Sequence, residues 1–156
     1  MAKYYNTSIK NLVFRLRKFK DILEQELENE ISSNGNVVVD MIANEQLYEQ
    51  GIEGRNIKIS SYAPYKYRTV QNKIKKGQPY DRVTLRDTGK FHASLRLVHD
   101  DKGFYVISED SKASELLEKY GPTIFRLTNE NLKTLLNSYV RPLLSRKLKN
   151  FIQHGG

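Results

Sequence analysis

The sequence has no cysteine and no tryptophan, and only two methionines and four prolines among its 156 residues. Without a thiol the chain makes no disulfide, thiolate zinc site or iron–sulfur cluster, and it offers no cysteine nucleophile. No stretch approaches the roughly 18 consecutive apolar residues of a membrane helix. Met1-Ala2-Lys3-Tyr4-Tyr5-Asn6 has neither an apolar core nor a small-residue cleavage site, so no secretory signal is expected and cytoplasmic synthesis is the default. The phosphate-cradling patterns GxGxxG and GxxxxGK[ST] are missing. Histidine is scarce too: His92, His99 and His154 have no acidic partner at ligand spacing, so no metal and no cofactor are expected. Asp87-Thr88-Gly89 matches an aspartic-protease triplet in letters only. That chemistry needs a second carboxylate and long apolar strands, whereas helix-like Lys90-Phe91-His92 follows here. The expectation is a protein without a catalytic site.

Positive charge is abundant. Lys and Arg total 26 against 18 acids, for a formal charge of +8. The excess is concentrated in residues 69–100 and 128–156, which carry +4 each. A clustered basic face suits a polyanionic partner.

Hydrophobic spacing predicts an α+β fold in one domain over residues 1–156. Ile9, Leu12, Val13, Leu16, Phe19, Leu23, Leu27 and Ile31 recur at three and four, one face of a helix over about Thr7 to Ile31. Its charges run from Arg15, Arg17, Lys18 and Lys20 to Asp21, Glu24, Glu26, Glu28 and Glu30, the reverse of what the helix dipole prefers. A head-to-tail contact with a neighbouring copy would complement such blocks. A second helix over about 36–50 follows, although β-branched Val37-Val38-Val39 could open it as an extended segment. Residues 51–80 lose the pattern under Gly51, Gly54, Pro64, Gly77 and Pro79. They read as an extended, tyrosine-rich, basic loop arm with at most a short helix over 69–76.

The firmest strands are Leu95–His99 and Phe104–Ser108, joined by Asp100-Asp101-Lys102-Gly103 as a β-hairpin over 95–108. Asp87 or Thr88 can cap a short helix burying Leu85, Phe91 and Leu95. Another helix is expected over 111–120, an extended link over 124–127, and a last helix from a Thr128 or Asn129 cap to Ile152. Pro142 should kink or break that helix near 138–141. Together these elements predict long amphipathic helices packed on a small antiparallel sheet.

The candidate binding residues cluster. Lys66, Arg68, Lys73, Lys75, Lys76, Arg82 and Arg86 lie close in sequence, interleaved with Tyr62, Tyr65, Tyr67 and Tyr80. Basic side chains contact phosphates without reading sequence, and tyrosines stack on bases. The same composition also makes protein–protein interfaces. The seven cations are therefore candidates for DNA proximity or an inter-subunit contact, and the four tyrosines for packing against a partner.

The run Val83-Thr84-Leu85-Arg86-Asp87-Thr88-Gly89-Lys90-Phe91-His92-Ala93-Ser94-Leu95 resembles the L-x-D-T-G-x-L-x-x-S stretch of tailed-bacteriophage neck and tail-completion proteins, the minor structural proteins of head–tail joining and virion morphogenesis. In that family a hairpin follows, then a Y/F-G segment, then R-P-F-L opening a closing helix. Lys119-Tyr120-Gly121 and Arg141-Pro142-Leu143-Leu144 take the last two places here, farther apart than is usual. The resemblance implies structural roles for Asp87, Thr88, Gly89, Phe91, Ser94, Gly121, Arg141 and Pro142. It also implies a non-enzymatic virion protein, made in the bacterial cytoplasm and located in the neck or tail. Such proteins form rings of about six or twelve copies between portal, connector and tail proteins, around the channel of packaged double-stranded DNA. The competing reading is a sequence-independent nucleic-acid-binding module acting in the infected cell.

Overall fold

Thirteen short and long elements follow one another in the computed structural model, which describes the backbone of residues 9–154 and the side chains of residues 13–153. The chain runs through α1 (Ile9–Ser33), α2 (Gly35–Asp40), π-helical turns over Met41–Gln50, and a 3₁₀ turn over Ile59–Ser61. Helices α3 (Tyr67–Lys75) and α4 (Lys90–Ala93) lead to strands β1 (Leu95–Asp100) and β2 (Gly103–Ser108). Helix α5 (Ala113–Tyr120), a 3₁₀ turn over Pro122–Phe125, α6 (Asn129–Leu135), a π-helical turn over Leu136–Val140 and α7 (Arg141–His154) complete it. The fold is α+β, mainly helical with one two-stranded antiparallel sheet. The start of the first helix, which Thr7 or Ser8 can cap by their residue type, lies outside the described residues.

Where the sequence pattern suggested one domain, contacts fall into two compact units. The first holds residues up to 31 together with 136 onward, and the second holds 32–135. In the first unit α1 pairs with α7. Phe19 meets Phe151 at 4.4 Å between ring centroids, the Arg15 guanidinium lies 5.5 Å from the Phe151 ring centre, and Lys147 reaches Glu26 at 2.8 Å. Since residue numbers rise along α7 as they fall along α1, the two helices run antiparallel. The cations of α7 thus meet the acidic half of α1, which offsets part of its unfavourable charge order. Pro142 sits one residue inside α7. Its missing N–H coincides with the widened turn over Leu136–Val140, the helix irregularity expected near 138–141.

The second unit is built around the wide helical turns over Met41–Gln50, whose Ile42 and Leu47 are fully buried with Ile59, Val83 and Ile124. Gln46, also fully buried, fastens this helix to a segment eighty residues away. Its Nε2 donates to the Arg126 carbonyl (3.0 Å), and its Oε1 accepts from the Thr128 N–H (2.9 Å) and from Asn131 Nδ2 (3.2 Å). Gly54 lies against the same segment and donates its N–H to the Thr123 carbonyl at 3.0 Å. A Cβ at position 54 would fall 2.5 Å from Arg126 Cβ, so only glycine fits. Thr128 caps α6 through Oγ1, which accepts from the Asn131 N–H at 3.2 Å.

The hairpin has the expected register, Leu95 facing Ser108 and Asp100 facing Gly103. The helix lying against β1 is the short α2, where Gly35 allows Leu97 to approach. The helix expected over 36–50 is present from its start: Val37-Val38-Val39 lie in α2, where Val38 faces inward and the following wide turns extend the helix. Three expectations are corrected. Of the extended link expected over 124–127, the first half is a 3₁₀ turn that buries Ile124 completely, and the backbone is extended only from Arg126. Residues 51–80 are not an extended loop arm: Ile52 bridges to Lys58, and Ile52, Glu53 and Ile59 are buried in the second unit. Helix α3 begins at Tyr67, two residues earlier than the spacing suggests.

Candidate functional site around the Thr84–Gly89 turn

Part of the set singled out in the sequence, Tyr65, Lys73, Arg86, Asp87, Thr88 and Gly89, meets at one turn, and its members then divide by exposure. Leu85 is buried with φ of 50°, a left-handed conformation that costs a bulky residue about 1–2 kcal/mol. Its neighbours hold it there. Tyr65 Oη accepts from the Thr84 N–H (2.9 Å), Thr84 Oγ1 accepts from the Arg86 N–H (3.3 Å), and His92 Nε2 donates to the Thr84 carbonyl (2.9 Å). Lys73 completes the clamp. It is only 5% exposed, and its Nζ donates to the Arg86 carbonyl (2.8 Å), Thr84 Oγ1 (3.3 Å) and Gln78 Oε1 (3.4 Å), 5.0 Å from the Tyr65 ring centre. Lys73, expected near DNA, is therefore an interior strut: its ammonium is consumed by backbone and side-chain oxygens.

The partner of the Thr84 carbonyl fixes the His92 tautomer. A carbonyl only accepts, so Nε2 carries the proton, and Nδ1 is buried with no partner. Burial pushes the His92 pKa down to about 4. Arg86 and Lys73 push the same way, and the Thr84 hydrogen bond opposes them. The ring is neutral at physiological pH.

The motif residues build the turn that leads into the hairpin. Asp87 was a candidate cap for α4, but the cap position is Gly89, at φ of 87°. Asp87 instead pairs with Lys76, whose hydrogen bond holds the Asp87 carboxyl below the usual range. Thr88 Oγ1 accepts from the Lys90 N–H at 3.4 Å. Phe91 stacks on Phe125, with centroids 5.9 Å apart. Ser94 Oγ donates to the Phe91 carbonyl (2.8 Å) and meets Ser108 Oγ (2.7 Å), tying α4 to the end of β2. Gly121 ends α5, donating to the Leu117 carbonyl at 2.9 Å. Arg141 and Pro142 open α7 in the other unit and are solvent-exposed.

Beside the turn lies a cleft of roughly 530 Å³. Tyr65, Phe91, Leu116 and Tyr120 line it along with Lys73, Lys90 and Lys112, and Asp87, Asp110 and Glu115 add negative charge. No group of three or more His, Asp or Glu side chains among the described residues could hold a metal ion. No helix among them is long and apolar enough to cross a membrane.

The remaining cations and tyrosines divide between inside and outside. Arg82 Nε donates to the Tyr48 carbonyl (2.9 Å), and Nη1 pairs with Asp81 (2.8 Å). Arg86 stacks its guanidinium 4.6 Å from the Tyr48 ring centre. Tyr62 donates to the Tyr120 carbonyl at 3.0 Å. Tyr62 and Tyr65 thus hydrogen-bond within their own unit, Tyr65 half-buried and Tyr62 with an exposed ring, and Tyr80 is exposed as well. Tyr67 is 79% exposed. On α3 it shares a face with Gln71, Ile74 and Lys75, by the three- and four-residue spacing of a helix, and Arg68 follows it one position on. Lys66, Arg68 and Lys75 are exposed and have no ion-pair partner among the described residues. Sequence reasoning missed Gln46 and Thr84, the polar centres of the unit, whose partners are distant or backbone atoms and leave no local signature.

Compared with protein-family models, with curated proteins and with solved structures, the chain matches none.

Proposed function

We propose that this protein is a non-enzymatic structural component of a tailed-phage particle, a neck or tail-completion subunit that assembles with copies of itself and with portal, connector or tail proteins. One observation carries the reading. The chain leaves large apolar side chains uncovered on both of its units: Phe14 is 67% exposed, Ile152 71% and Tyr67 79%. Uncovered apolar surface of this kind suits a subunit that buries it on assembly. The motif order supports the same reading, because Thr88 and Ser94 make the hydrogen bonds that build a turn and tie it to the hairpin. Quantitative mass spectrometry of purified particles from the virus that encodes the chain tests it. About six or twelve copies per portal are expected for a ring; absence from the particles would remove the reading.

A second reading rests on α3. Lys66, Arg68 and Lys75 stand unpaired beside the exposed Tyr67 ring, a combination suited to sequence-independent contact with nucleic acid. Tight duplex binding by the isolated protein, with a steep salt dependence, would favour that reading over assembly.

A further inference from the structure

A pair of helices buries only the stripe where they touch, and the remaining apolar surface of each needs a third or fourth helix. In the unit formed by α1 and α7, α1 uses Arg15, Phe19 and Glu26 toward α7. No described residue of α1 from Val13 to Ser33 is fully buried, and Val13, Leu16 and Ile22 are exposed. Leu148 and Ile152 of α7 are exposed as well.

Beside the contact stripe α1 carries a second ridge. Val13, Leu16, Leu27 and Ile31 form its apolar edge at helical spacing. Arg17, Lys20, Glu24 and Glu28 run along the same side, two cations and then two acids. All four are exposed. Lys20 and Glu24 meet at 3.2 Å, but an ion pair this exposed holds its partners weakly. Because both charge blocks lie on one side, a partner there meets positive charge first and negative charge second. A duplex phosphate backbone would be repelled by the second half. A parallel copy in register would set like against like. An antiparallel copy sets each cationic half along the other's acidic half and covers both apolar edges at once.

We infer that the ridge Val13–Ile31 of α1 binds the same ridge of a second copy of this chain, antiparallel about a two-fold axis near residue 22. The contact is isologous, so it closes at two copies rather than propagating head to tail. A neck ring has different neighbours above and below. The pair therefore belongs to the unassembled protein, where it covers the apolar edge, and it does not depend on the virion reading.

Sedimentation equilibrium of the full chain tests the pairing. A reversible dimer is expected, weakening as salt rises. Arg17→Glu/Lys20→Glu and Glu24→Lys/Glu28→Lys should each weaken it about tenfold or more, a loss of about 1.4 kcal/mol. Mixing the two variants should restore association, and so should combining all four changes in one chain, which merely exchanges the blocks. These positions face away from α7, so circular dichroism should be unchanged. Orientation is read separately. The chain has no cysteine, so a nitroxide on Ser32→Cys, exposed near the end of α1, labels one site. Antiparallel copies offset the two labels by about 30 Å along the axis, at 1.5 Å per residue, whereas parallel copies leave them level, about 10–20 Å apart across the pair. A monomer at about 100 µM, a far above the range of a useful dimer, would overturn the inference. A dimer indifferent to the charge variants, or the short label distance, would overturn it equally. None of these outcomes bears on whether the chain is found in particles.

Discussion

Replacing Lys73 with methionine separates a strut from a DNA contact. Methionine keeps most of the stem that fills the space beside Tyr65 and deletes the ammonium. The lost interactions are the 2.8 Å hydrogen bond to the Arg86 carbonyl, two longer ones to Thr84 and Gln78, and the contact with the Tyr65 ring. A charge-assisted hydrogen bond contributes about 1.5–3 kcal/mol. Relief from burying the ammonium returns part of that, leaving a net loss of about 2 kcal/mol. Lys73→Ala also removes the stem and should cost about 3–4 kcal/mol. Urea unfolding followed by circular dichroism measures both. DNA titrations against salt give the second half of the test. Because Lys73 Nζ is turned inward, Lys73→Met should leave the slope of log K against log salt unchanged. Changing Lys66, Arg68 and Lys75 together should flatten any slope by up to about 3, at roughly 0.9 per lost phosphate contact. A Lys73→Met protein as stable as the parent, with a slope reduced by about 1, would refute the reasoning.

Other predictions follow from the buried polar groups. His92 is harder to protonate folded than unfolded, so the folded state binds fewer protons between about pH 4 and 6.5. Stability should be full above pH 6.5 and fall by about 3 kcal/mol on acidification to pH 4; melting of the parent and of His92→Gln across that window checks this, and the variant should lose much of the slope. Gln46→Ala leaves the Thr128 N–H and the Arg126 carbonyl without their partner and should cost about 3 kcal/mol, with hydrogen exchange at Thr128 accelerating most. Gly54→Ala forces a Cβ within 2.5 Å of Arg126 and should lower the melting temperature, whereas Gly77→Ala, with open space around it, loses only the ease of its left-handed φ.

The sequence pattern makes α1, α5 and the hairpin legible because each carries its own local period of apolar residues, although α1 leaves Val13 and Leu16 of that face exposed. Thr128 is legible as a cap because it immediately precedes the apolar run of the last helix. The second unit is less so. Gln46 reaches Thr128 across eighty-two positions, and nothing local at either end announces the bond. Residues 51–80 lack periodicity because they are stitched in by single contacts, Ile52 with Lys58 and Tyr65 with Thr84, rather than by a repeating face. Lys73 misleads for a related reason: a lysine in a basic run is ordinarily solvated, and only the Thr84–Arg86 turn supplies oxygens enough to hold it inside. The basic, tyrosine-bearing stretch is legible as a stretch of chain, but its inward and outward residues are told apart only by the fold. Tyr65 precedes α3 and bonds Thr84, whereas Tyr67, the first residue of α3, is exposed.

Counting copies of this chain in purified particles, by mass spectrometry against the portal, tests the central claim most directly. The account predicts about six or twelve copies, the number that the resemblance to neck-ring proteins implies for a closed ring. Particles that lack the chain altogether would contradict it.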